Sequence, residues 1–99
     1  MYEVEVSEGA IRDLMRIRAH DRKTILDAIE RQLSDEPVAQ TRNRKILVNL
    51  VPPFEAVPPI WELRVGDWRV FYDVDSEILK VYVRAVRRKR PHKTTEEIL

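Results

Sequence analysis

From Trp61 to Val86 the chain alternates apolar and polar residues and breaks twice, at Gly66-Asp67 and at Asp75-Ser76-Glu77. Side chains two apart on a strand share a face, so this is the pattern of strands with one buried side. Gly-Asp between two such runs signals a tight hairpin turn. The spacing therefore predicts strands at Trp61–Val65, Trp68–Val74 and Ile78–Val86, joined as an antiparallel meander. Their apolar sets are Trp61, Leu63 and Val65, then Trp68, Val70, Tyr72 and Val74, then Leu79, Val81, Val83 and Ala85. These belong against a covering layer. Glu62, Arg64, Arg69, Phe71, Asp73, Lys80, Tyr82 and Arg84 are left to share a second face, expected to be open to solvent.

The covering layer comes from the N-terminal third. Tyr2, Val4 and Val6 alternate with Glu3 and Glu5 as in a half-buried strand. Ser7 can cap a helix over residues 8–19, in which Ile11, Leu14, Met15 and Arg18 follow helical spacing. Asp21 is a second candidate cap, for a helix carrying Ile25, Leu26, Ile29 and Leu33 and ending near Ser34, before Pro37. The very short link makes the pair a helical hairpin. After a polar loop from Asp35 to Asn43, Lys45–Val51 reads as a further strand. Pro52-Pro53 and Pro58-Pro59 then bracket a stiff connection that no central strand tolerates. The expected fold is α+β, with the N-terminal strand and helical hairpin packed on one face of a twisted, mainly antiparallel sheet. Residues 1–99 are expected to form one domain, with 86–99 a basic C-terminal segment whose last five residues are weakly helical.

Several classes of function drop out. Without cysteine there is no disulfide framework or thiolate metal site, and His20 and His92 lie too far apart to suggest a ligand pair. His20 is expected at the C-terminal end of the first helix, where a cation suits the dipole. No apolar run approaches the roughly 20 residues of a spanning helix, and the first residues lack a secretory pattern. The expectation is a cytoplasmic protein that needs no metal or other cofactor and does not enter a membrane.

The net charge of +1 hides an asymmetry: residues 1–40 carry six Lys/Arg against nine Asp/Glu, whereas residues 41–99 carry twelve against eight. The stretch from Arg84 to Lys93 has six basic residues in ten and no acid. Such a run is either a solvated tail or a contact for a polyanion. Together with Arg64, Arg69, Lys80 and Tyr82 it makes a basic platform with aromatic rings, the means by which single-stranded RNA is commonly held. The plainer alternative is a ladder of cross-strand ion pairs.

The stretch Trp61-Glu-Leu-Arg-Val-Gly-Asp-Trp-Arg-Val-Phe-Tyr-Asp-Val-Asp75 resembles the central hairpin of the RelE/ParE toxin superfamily. The order of elements, the basic segment after the last strand, and Asn43-Arg44-Lys45 leading into the sheet resemble it as well. The resemblance implies the toxin of a type II toxin–antitoxin module, with a cognate antitoxin as partner. RelE-like members are ribosome-dependent mRNA endonucleases in which the RNA 2′-OH attacks the scissile phosphate without a metal. By position, the resemblance implies that Arg69 contacts that phosphate and that Lys89, or Arg87 or Arg88, supplies a second cation. Two lysines of RelE fall at Ile60 and Glu62, and its C-terminal tyrosine falls near Thr95. Glu62 as base and His92 as acid are the substitutes this chain offers. Lys45, Arg64, Tyr82, Arg84, Arg87 and Arg88 would bind RNA around that centre. The alternatives are a ParE-like inhibitor of DNA gyrase and a catalytically weak RNA-binding relative. The open face and the apolar end, Ile98 and Leu99, are the expected landing sites for the antitoxin, and the oligomeric state is left open.

Overall fold

The computed structural model describes residues 1–99. In chain order the elements are β1 (Glu3–Val6), α1 (Glu8–Met15), α2 (Ala19–Leu33), β2 (Arg44–Leu47), β3 (Ile60–Val65), β4 (Trp68–Asp75), β5 (Lys80–Arg88) and α3 (Thr95–Ile98). The five strands form one sheet in the order β1-β5-β4-β3-β2, parallel only between β1 and β5. This is the α+β layer expected, with the helical hairpin on one face. No helix is long and apolar enough to cross a membrane.

The core between hairpin and sheet follows the two periodicities. Leu14, Ile17, Ile25, Ile29 and Leu33 from the helical side meet Trp61, Leu63, Val70, Tyr72, Val81 and Val83 from the sheet. Trp61 and Tyr72 lie opposite each other on β3 and β4, their rings stacked with centroids 6.2 Å apart. The helix ends differ from expectation. α1 is capped by the Ser7 side chain, which accepts from the Ala10 N–H, but stops at Met15. The Arg22 guanidinium donates back to the carbonyls of Leu14 and Ile17, satisfying acceptors that a longer helix would have used. α2 therefore begins at Ala19, with Arg18 rather than Asp21 at its cap position. His20 falls in the first turn of α2, not at the end of α1, so the proposed dipole contact does not form.

Tyr72 also ties the sheet to the loop after α2, its buried hydroxyl donating to the Pro37 carbonyl at 2.6 Å. Burial pushes the phenol well above its ordinary value of 10.0. A folded-state pKa raised in this way contributes stability that is fully present below about pH 10 and lost as pH rises toward the folded value. Tyr72→Phe is expected to cost about 1 kcal/mol at neutral pH. It should also lose stability more slowly than the parent protein above about pH 10, measured as urea midpoints. Parallel curves would contradict this account of Tyr72.

Strand boundaries shift too. β5 starts at Lys80 because Leu79 sits in a turn with φ +53°, and β2 stops at Leu47 rather than running to Val51. Phe71 pairs with Ala85 but Tyr72 pairs with Val83, so Arg84 is an extra residue on β5 and the alternation slips by one. Ala85, expected against the helices, lies beside Phe71 on the other face, while Val86 turns into the helical core.

The largest correction concerns the face expected to be open. Ile60, Phe71 and Ala85 form a second buried cluster, covered by Leu47, Leu50, Phe54, Ala56, Ile98 and Leu99. Phe54 reaches Phe71 with ring centroids 6.0 Å apart. The proline-bracketed connection between β2 and β3 thus folds back over the sheet. The short α3 docks beside it, its first turn closed by a reciprocal Thr94–Glu97 capping box. Glu62, Arg69, Phe71 and Asp73 are buried rather than solvated, and Ile98 and Leu99 pack on this cluster instead of lying free.

Candidate nucleic-acid interface

Strand register brings together residues far apart in the chain. Lys45 lies opposite Glu62 across β2 and β3, and Arg64 lies opposite Arg69 across β3 and β4. The Lys89 N–H donates to the Asp67 carbonyl at 2.7 Å, which pins the start of the basic tail beside the hairpin turn. The result is a depression of about 280 Å³ lined by Thr41, Arg42, Asn43, Arg44, Lys45, Glu62, Arg64, Arg69 and Lys89. Its wall has six cations, one carboxylate and no apolar side chain.

Arg69 forms the floor, 7% exposed. Its Nη1 donates to the carbonyls of Gly66 at 2.8 Å and Trp68 at 2.9 Å, and its Nε lies 3.8 Å from Glu62 Oε1. Burial pulls the Arg69 pKa below its ordinary value, against the opposing pull of Glu62. An arginine remains charged through such a shift, so the fork is a fixed cation. Nη1 is held by carbonyls; Nε and Nη2 are the donors that can meet an anion side-on.

Glu62 is held by one hydrogen bond and two longer ion pairs. Its Oε2 accepts from the Thr95 hydroxyl at 2.8 Å, and its Oε1 faces Lys45 Nζ at 3.7 Å as well as Arg69. Lys45 stands on the lip, its side chain 58% exposed. The Thr41 hydroxyl accepts from the N–H groups of Asn43 and Arg44, shaping the loop that presents this wall. Arg44 points its guanidinium to the carbonyls of Ala39 and Gln32, which anchors the loop to the end of α2.

Of the residues singled out from sequence, Arg69, Glu62, Lys45, Arg64 and Lys89 converge. The others do not. Arg84 is clamped on the buried Asp73, with Nε to Oδ2 at 2.7 Å, and Asp73 also accepts from the Val57 N–H. That ion pair holds the Arg84 pKa above its ordinary value. Tyr82 lies under Lys80 and Arg84, 5.3 and 4.8 Å from its ring centre, so its face is already occupied by cations. Arg87 is bound by Asp13 of α1, which also accepts from the Val86 N–H and so covers the edge of β5 beyond the end of β1. Arg88 faces the Trp68 side of the hairpin tip. His92 is exposed in a turn with φ +66° and does not line the depression. Thr41, Arg42, Asn43 and Arg44 complete the wall. Their signal in the sequence was the polar-basic run leading into β2.

The structure is thus a helical hairpin on a five-stranded sheet, with a cationic depression beside the central β-hairpin. The chain belongs to the ParE toxin family: the model for the ParE toxin of the type II toxin–antitoxin system parDE matches residues 4–91. Solved structures agree in fold. The toxin–antitoxin complex RelBE2 from Mycobacterium tuberculosis contains a chain 25% identical to this one, with TM-score 0.72, covering 90% of this chain and 98% of that one. The archaeal RelE–RelB complex from Pyrococcus horikoshii is similar at 19% identity, with TM-score 0.68 and 93% and 98% coverage. The isolated Escherichia coli RelE toxin is similar at 15% identity, with TM-score 0.67 and 94% and 89% coverage. Comparison with curated protein sequences gives no match.

Proposed function

We propose that this toxin acts in the cytoplasm as a metal-independent endonuclease of ribosome-bound mRNA, and that a cognate antitoxin encoded beside it holds it in check. The observation that carries the reading is the depression around Arg69, where six cations surround a single buried carboxylate. Cleavage by the substrate's own 2′-OH forms a 2′,3′-cyclic phosphate and releases a 5′-OH. The protein's task is to stabilise negative charge on the phosphorane and to assist two proton transfers. On this reading Arg69 and Lys89 stabilise that charge, and Lys45 and Arg64 steer the backbone from the lip. Glu62 is the proton acceptor, through Oε1, while Oε2 holds the Thr95 hydroxyl. His92 would have to reach in from the exposed tail to serve as acid. Electrostatic stabilisation therefore carries most of the catalysis, and a slow nuclease is expected.

A second reading, inhibition of DNA gyrase, is favoured by the family match and by the lining of the depression, in which no histidine or second carboxyl group stands beside Glu62 to complete a proton-transfer pair. Primer extension on mRNA from a translating extract separates the two. Breaks within ribosome-bound codons support the nuclease. Intact mRNA together with loss of gyrase supercoiling supports the inhibitor. Intact but retained RNA points to a non-cleaving RNA binder.

A further inference from the structure

The Arg69 depression continues around the end of β3 to the opposite side of the sheet. Asn43 and Arg64 line it and also a recess of about 380 Å³ against α2. Thr24, Val65 and Gly66 line that recess and a third concavity of about 570 Å³, which holds Trp68 among Arg16, Arg18 and Arg88. The shared walls make one groove around the hairpin tip. At the crossing point stands Gly66, in the left-handed region with φ +57° and nothing within 4 Å of where a Cβ would stand, so the path is open there.

Several arginines of this groove are unpaired. Arg84 and Arg87 are neutralised by Asp73 and Asp13, whereas Arg16, Arg64 and Arg88 are exposed and form no ion pair. Arg18 approaches Asp21 only at 3.9 Å, and its side chain is 91% exposed; with Asp67, and with Asp27 held by Lys23, the two concavities beyond the Arg69 depression set five arginines against three carboxylates. Trp68 is half-buried at the edge of the helical core, while Trp61, the other tryptophan, is buried on Tyr72. Unpaired guanidinium groups tracking a groove that ends on an aromatic face suit a flexible polyanion with bases free to stack. A duplex keeps its bases inside the stack and could not use the indole.

We propose that this groove is a binding path for single-stranded RNA. One phosphate sits in the Arg69 depression, the next ones pass Arg64, and a base a few nucleotides along stacks on Trp68 between Arg18 and Arg88. The proposal rests on the reading that the target is RNA, and extends it from one scissile phosphate to a strand.

The test uses the full-length protein and a nine-residue oligouridylate, followed by the anisotropy of a labelled strand and, with unlabelled strand, by tryptophan emission. Trp61 is buried, so a saturable change in emission reports Trp68. Trp68→Leu is expected to weaken binding about tenfold or more. Arg18→Glu, at a side chain whose loss leaves the fold intact, should weaken binding several-fold and flatten its salt dependence. Both variants should bind a trinucleotide confined to the Arg69 depression like the parent protein. If the nonamer binds and depends on Arg69, yet Trp68 emission and the Arg18→Glu affinity are unchanged, the groove is wrong while the RNA reading stands. If no RNA binds at low salt, or the matching oligodeoxynucleotide binds more tightly, the RNA reading itself falls and the groove with it.

Discussion

Arg69→Ala is expected to abolish growth arrest on induction and to lower mRNA cleavage by about 100–1000-fold, the loss seen when one preorganised donor to a developing charge is removed. The geometry explains why so much rests on one side chain. Carbonyls of its own hairpin fix Nη1, so the remaining donors face the depression without the entropy loss that a free arginine would suffer. The substitution also strips a cation from the buried Glu62 and leaves the Gly66 and Trp68 carbonyls without that donor. A stability loss of about 1–3 kcal/mol is expected alongside the functional one. Thermal melts separate the two effects, since a folded variant that has lost cleavage reports the site. Arg69→Lys keeps the charge but replaces the planar fork, which divides carbonyls and anion between separate nitrogens, with a single ammonium, and should fall between. A folded Arg69→Ala protein that still arrests growth would place target recognition elsewhere.

Phe71→Ala should be the most destabilising single truncation on the face opposite the helices, by about 3–5 kcal/mol. Phe71 is fully buried between Ile60 and Ala85, with Phe54 against its ring. At 4–8 °C per kcal/mol for a domain of this size, the melting temperature should drop by roughly 12 °C or more. The cavity would also loosen what sits on it. The connection between β2 and β3 and the segment from Thr95 to Leu99 should become sensitive to limited proteolysis before the helical hairpin does. Since Thr95 holds Glu62, cleavage should change as well. A cost below about 1 kcal/mol in urea unfolding would mean that this face is not packed, as the alternation of β4 alone had implied.

That contrast marks how far the sequence reaches. Period-two alternation with a Gly-Asp turn placed the central hairpin in register, because both are local properties of the backbone. That register puts Arg64 beside Arg69, whereas the pairing of Lys45 with Glu62 across β2 and β3 came only from the structure. The loop from Thr41 to Arg44 was visible as a basic run, but only its docking onto α2 through Arg44 makes it a wall.

What alternation cannot carry is pairing between distant segments. The slip at Arg84 depends on how β5 meets β4, and it moved Ala85 and Val86 to faces opposite to those their spacing implied. The cover over Phe71 comes from an aperiodic, proline-bracketed connection and a four-residue helix, neither of which has a period to read. The cations were the same arginines in the sequence. Asp13 and Asp73, 74 and 11 residues away along the chain, decided that Arg87 and Arg84 are structural. The sequence by itself determined the α+β layer and the hairpin, through local periodicity, and its resemblance to a toxin family singled out Arg69. Tertiary structure decided which face is sealed and which charges remain free, because burial and charge neutralisation are set by contacts that local spacing does not encode.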